Sequence, residues 1–105
     1  MQIDISILHH DYPTSVRSFV EEKLENLAKY FDRADSVHAL LEKQHGEHRV
    51  EIVARVPRSQ VLKVDSRGET FGEAFDGALE RMKRLLSEHK QKLSKVQRRK
   101  ARAEA

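Results

Sequence analysis

Ten of the 20 Lys and Arg residues fall in the last 26 positions, where only three acidic residues oppose them. They are Arg81, Lys83, Arg84, Lys90, Lys92, Lys95, Arg98, Arg99, Lys100 and Arg102. Residues 1–79 carry a net charge of −4 and residues 80–105 one of +7. Such asymmetry suits a polyanion met by one end of the chain. A solvated helix face with a basic tail accounts for it equally well. Several cations on one element can replace the condensed counterions of a phosphate backbone. Arg adds a bidentate fork that matches phosphate oxygens. Contacts of this kind position a protein on nucleic acid without reading its sequence. Aromatic residues make up only 6% of the chain, which disfavours a base-stacking platform for single strands. Recognition of folded, duplex-rich RNA by shape and backbone fits better. Glu88 interrupts the basic cluster.

Other chemistry has little support. The chain has no Cys, so it holds neither a disulfide framework nor a thiolate metal site. It shows no Gly-rich phosphate loop and no paired-His helix motif. His9 and His10 are adjacent, and His45 and His48 flank a predicted turn, without the ligand pattern of a zinc site. No metal, no cofactor and no enzymatic activity are expected. His89 lies on an apolar helical arc, where packing against a sheet and contact with RNA are both open.

The elements that position these groups follow from periodicity. Ile3, Ile5 and Ile7 alternate with Asp4 and Ser6, as in a strand with one buried face. Tyr12, Pro13 and Thr14 open a helix, with Pro suited to its first turn and the capping residue left among Asp11, Tyr12 and Thr14. Val16, Phe19, Val20, Leu24, Leu27 and Phe31 form its apolar stripe. Residues 36–42 form a strand with Val37, Ala39 and Leu41 on one face. A turn containing Gly46 leads to a strand over 48–56, with Val50, Ile52, Ala54 and Val56 on one face. A turn at Pro57-Arg58-Ser59 precedes a short strand over 60–66, with Leu62 and Val64 inward. Thr70 and Glu73 make a capping box. Phe71, Phe75, Ala78, Met82, Leu85, Leu86, His89 and Leu93 then share one arc, and Val96 continues it. On that helix Arg81 and Lys92 flank one side of the stripe, Lys83 and Lys90 the other, and Arg84 faces outward.

At 105 residues the chain is one domain. The reading is an α+β fold of order β-α-β-β-β-α, a four-stranded sheet with both helices on one face. A right-handed crossover makes the first two strands parallel if they are neighbours. The domain spans 1–96, and 97–105 is a basic C-terminal tail expected to fray or be disordered. No run approaches the roughly 18 apolar residues of a membrane span. The N-terminus alternates like a strand rather than resembling a signal peptide. A cytoplasmic location is the default, with no membrane partner.

These residues bear a family likeness. The strand-one pattern, Phe19-Val20 through Lys23-Leu24, Leu27, Tyr30-Phe31-Asp32-Arg33, Gly68, Ala74-Phe75-Asp76, and Arg84 followed by His89-Lys90-Gln91-Lys92-Leu93 occur in this order. Over about residues 1–94 the chain resembles the ribosome hibernation promoting factor and ribosome-associated inhibitor A family, in its short form. The resemblance implies a fold similar to double-stranded RNA-binding domains. It also implies binding to the small ribosomal subunit near the decoding centre, where the protein would block tRNA and mRNA during stress or stationary phase. Carried over by motif, Lys23, Arg81, Arg84, His89, Lys90 and Lys92 are the expected ribosomal RNA contacts. Lys83, Lys95, Arg98 and Arg99 join them on charge alone. Asp76 matches the motif and serves either contact or the ordering of the helix start. Expected partners are the small subunit with its RNA and a second small hibernation factor, and the protein is expected to be monomeric off the ribosome. Glu88 and Leu85 depart from the family pattern, and the extra C-terminal domain of long members is not expected here. Two other readings stay open. One is a general structured-RNA module. The other is a protein-interaction regulator, such as a sigma-factor modulator, using Leu40, Val53 and Val61 on the open sheet face.

Overall fold

Alternation of apolar and polar residues turns three consecutive segments into a meander with one oily face. A computed structural model describes residues 2–30, 34–57 and 60–104, with side chains described over 2–27, 34–57 and 60–92. The elements are β1 (Gln2–Leu8), α1 (Thr14–Tyr30), β2 (Ser36–Gln44), β3 (Glu47–Val56), β4 (Gln60–Gly68) and α2 (Phe71–Glu104). The strands form one sheet in the order β1-β2-β3-β4. β1 runs parallel to β2, and the other neighbours are antiparallel. The expected order and sheet are therefore the observed ones.

Register places the apolar side chains in columns across the sheet. Ile3, Val37, Ala54 and Leu62 form one column, and Ile5, Ala39, Ile52 and Val64 the next. In a third, Ile7, Leu41 and Val50 end at Ser66. Val20, Leu24 and Leu27 of α1 and Ala74, Phe75, Ala78, Met82 and Leu86 of α2 close over this face, all at 1% exposure or less. Phe31 falls outside the described residues. Phe19, on the same stripe, stays 43% exposed and meets Phe75 edge-on at 5.7 Å. It sits at the rim where the two helices approach, not beneath them.

The strands run longer than their patterns suggest because the turn between β2 and β3 is tight. His45 and Gly46 both adopt left-handed backbone, φ 55° and 77°. Two such residues make a type I′ turn, whose twist matches the flanking strands. The ladder therefore continues to the pair Gln44 and Glu47.

Both helix starts are defined by hydrogen bonds. The Thr70 hydroxyl accepts from the Glu73 amide at 3.2 Å, the expected hydroxyl half of the capping box. At α1 the Pro13 carbonyl accepts from Val16 and Arg17. Pro13 thus sits one position before the first turn rather than within it. Tyr12 is held by the sheet: its hydroxyl lies 2.8 Å from His48 Nδ1 and 3.3 Å from the Glu42 carbonyl. Tyr12 also touches Phe71, which stacks on Phe75. Rings from the β1–α1 connection, β3 and α2 are joined in this way.

α2 lies close to the sheet at Gly77, where a Cβ would run into the Ser66 hydroxyl of β4. A helix of 34 residues spans roughly 51 Å, longer than a nine-residue strand. The molecule is accordingly elongated, 58 × 22 × 19 Å. The boundary drawn at residue 96 falls inside α2, which carries through 97–104 on residues that favour helix and include no Gly or Pro. The side chains of that extension lie outside the described residues.

Two outcomes follow from this packing. Gly77→Ala should cost about 1–3 kcal/mol, as overpacking does, and less in a Ser66→Ala background; urea midpoints of the four proteins check both. Burial, with Lys43 and His10 nearby, pushes the His48 imidazole below its ordinary 6.5. The unfolded chain then takes up a proton that the folded one refuses. Stability should be complete above about pH 6.5 and fall as pH drops towards the lowered His48 value. Thermal melts across that window should show this slope flattened in His48→Gln.

Candidate nucleic-acid interface

The capping box starts α2, and its apolar arc sets which residues remain outside. Lys83, Arg84, Lys90 and Lys92 are all exposed. Among the described residues none of these four makes an ion pair. By helical spacing they occupy both flanks and the back of the helix. The flank bearing Gly77 and Arg81 passes over β4. Lys83 and Lys90 lie on the opposite flank.

The remaining expected contacts divide. Lys23 of α1 is half-buried, its ammonium 5.4 Å from the centre of the Phe19 ring. A cation in this position gains from the ring face and loses mobility. Arg81 is exposed, yet its Nη1 donates to the backbone carbonyl of Asp65 on the last strand of the sheet. Part of its donor set is therefore spent within the protein. His89 is 7% exposed and belongs to the packed layer, so its position fits the packing alternative. Lys95, Arg98 and Arg99 fall on the helical extension, where side chains lie outside the described residues. Asp76 is exposed in the second turn of α2.

The opposite face of the sheet has a different electrostatic character. Arg49 on β3 reaches three carboxylates on three strands. Its Nη1 lies 3.3 Å from Glu42, and its Nη2 2.8 Å from Glu51 and 2.7 Å from Asp65. Its Nε also donates to Asp65 at 2.8 Å. The hydrogen bond to Asp65, reinforced by the charges of Asp65 and Glu51 and a bond to Glu42, holds the guanidinium above its ordinary pKa. Lys63 pairs with Glu51 at 3.7 Å and Arg67 with Glu47 at 3.8 Å. Sequence periodicity puts Arg49, Glu51 and Arg55 on this face without joining them. The signal was the hairpin register: a two-residue turn at 45–46 sets Glu42 opposite Arg49.

The contrast decides which face suits a polyanion. Among the described residues Lys83, Arg84, Lys90 and Lys92 of α2 are exposed and make no ion pair, whereas Arg49, Lys63 and Arg67 are already paired. Phosphate contact with α2 displaces counterions only, while contact with the sheet would first break ion pairs. The apolar residues of the open face do not merge into a patch. Val53 lies between His38 and Lys63, Leu40 beside Glu51, and Val61, 52% exposed, beside Arg55 on an edge strand. Among the described residues no three His, Asp or Glu side chains converge to hold a metal ion, and no helix is long and apolar enough to cross a membrane.

Comparison with known proteins agrees with this architecture. The family model described as Sigma 54 modulation protein / S30EA ribosomal protein matches residues 3–94. The chain is 27% identical over 92 residues to a ribosome hibernation promoting factor of Pseudomonas putida, covering 88% of this chain and 89% of that one. It is 28% identical over 93 residues to a protein of the same name in Escherichia coli, covering 89% and 97%. In structure it resembles a ribosomal subunit interface protein from Coxiella burnetii, with TM-score 0.78 and 16% identity over 87% of this chain and 99% of that one. It also resembles the N-terminal domain of Thermus thermophilus Protein Y, with TM-score 0.73 and 22% identity over 85% and 99%. At these identities the two structures speak for the fold.

Replacing Arg84, Lys90 and Lys92 together by Ala should weaken binding to a structured RNA and lower the slope of log affinity against log salt by about 2–3. Each is an exposed helix position, so the melting curve should stay within about 0.5 kcal/mol per site of the parent. Fluorescence anisotropy over a salt series, beside thermal melts, reads both quantities.

Proposed function

Because the chain belongs to the Sigma 54 modulation protein / S30EA ribosomal protein family, we propose that it is a ribosome hibernation factor. It binds the small ribosomal subunit near the decoding centre, on ribosomal RNA, and blocks tRNA and mRNA by occupying their space. Translation is thereby inhibited under stress or in stationary phase. The action is steric and calls for no catalytic step, and a ribosome-bound role places the protein in the cytoplasm. Residues 1–96 form the ribosome-binding domain, and 97–104 extend its basic helix.

The observation that carries this reading is the set of exposed α2 cations that make no ion pair among the described residues, on a fold where Arg49, Lys63 and Arg67 of the sheet face are paired. Lys83, Arg84, Lys90 and Lys92 supply backbone contacts, with Lys23 on the neighbouring helix. Lys95, Arg98 and Arg99 add contacts where the helix continues. Arg81 contributes with the donors that Asp65 leaves free, and His89 supports the helix from within. A reading as a protein-interaction regulator is less well supported, because Leu40, Val53 and Val61 are each separated by charge.

Sedimentation of purified ribosomes through sucrose at near-physiological salt tests the proposal. The protein is expected to travel with small subunits and whole ribosomes and to be lost from those fractions when Arg84, Lys90 and Lys92 are replaced by Ala. Repeating the gradient with a second small hibernation factor shows whether ribosome dimers require both proteins. Folded protein that stays at the top of every gradient would overturn the reading.

A further inference from the structure

The ion-pair network on the open sheet face has no part in holding the core, which lies on the other side of the sheet. It is nevertheless ordered across three strands. Glu42 and Arg49 are register partners, as are Glu51 and Asp65. Period-two alternation sends all four side chains to one face. Lys63 joins through Glu51, and Arg67 pairs with Glu47 at one end. Arg55 lies outside the network, a single cation on a face that also carries Asp4, Glu42, Glu47, Glu51 and Asp65.

We propose that Glu42, Glu51 and Asp65 are specificity determinants that keep RNA off the open sheet face. They do so by occupying Arg49 and Lys63. A phosphate approaching Arg49 would have to displace carboxylates at 2.7–3.3 Å from the guanidinium. It would also come within roughly a Debye length, about 8 Å, of their negative charge. The protein therefore docks through its helices in one orientation. Without these three carboxylates, Arg49 and Lys63 would join Arg55 in a second basic face able to bind RNA nonspecifically. This inference rests on the reading that the helix face binds RNA, and its test separates the two.

The test replaces all three carboxylates by their amides, E42Q/E51Q/D65N, which removes charge and keeps shape. Wild type and variant are titrated with a short RNA duplex over a salt series, and stoichiometry is read by sedimentation. The same amide changes are made in the Arg84, Lys90 and Lys92→Ala background. The variant is expected to bind a second duplex, with a salt slope steeper by about 2 as Arg49 and Lys63 become available. In the α2-substituted background it should still show that gain. Binding by the amide variant with none by wild type would uphold the exclusion and overturn the helix-face reading. A folded amide variant with no gain in either background overturns the proposal. If the triple variant does not fold, Glu51→Gln alone carries the test. It frees Lys63 and should steepen the slope by about 1.

Discussion

The seat of α2 on β4 is the contact on which the other features depend. It favours Gly at position 77, because a methyl group there would meet the Ser66 hydroxyl and push it aside. With the helix this close, Phe75, Ala78, Met82 and Leu86 reach the sheet and are buried. The rotation of the helix is then settled. One flank passes over the last strand, where Arg81 finds the Asp65 carbonyl, and the cations at 83, 84, 90 and 92 turn to solvent. A helix of the same sequence held further away would bury less apolar surface and present those charges less firmly.

The same constraint explains the two-faced electrostatics. Both helices cover one side of the sheet, so alternate residues on every strand must face water on the other. A polar face on four strands has to balance its charges across strands, and Arg49 does so by reaching Glu42, its register partner, and Asp65 on the diagonal. Partial burial of Arg49 among three carboxylates makes that arrangement more than a loose surface pairing. Displayed charge and neutralised charge thus arise from one packing decision. The molecule has a face of exposed cations and a face whose charges are largely paired.

Much of this was legible in the sequence, and the remainder failed for identifiable reasons. Strict alternation in 37–41 and 50–56, and the arc from Phe71 to His89, gave strands, helix and core almost residue by residue. The capping box and the Gly46 turn were also readable. Phe19 was misplaced because a stripe shows which positions can face inward, not where the partner surface ends, and it lies beyond the close-packed zone. The site was legible as a set of cations on α2. Their differing fates were not, because the Arg81 anchor and the burial of His89 depend on distance to the sheet. The bonds from Arg49 to Glu42 and Asp65 and the Tyr12–His48 hydrogen bond join residues 7 to 36 positions apart. Only register and the seat of the connections bring them together.

The order of elements along the chain also bears on how the protein comes to exist. β2, β3 and β4 follow one another through short turns and can pair as soon as they are made, whereas β1 must wait for β2 across α1. α2 emerges last. Until then half of the sheet lacks its cover, and the oily columns ending at Leu62, Val64 and Ser66 face water. The covering helix is also the basic one, so completing the core and displaying the cations are the same event. A nascent or truncated chain therefore has neither a finished interior nor the basic surface of α2. Assembly and the display of charge are coupled through one segment, so no partly built form of the protein carries the full basic face.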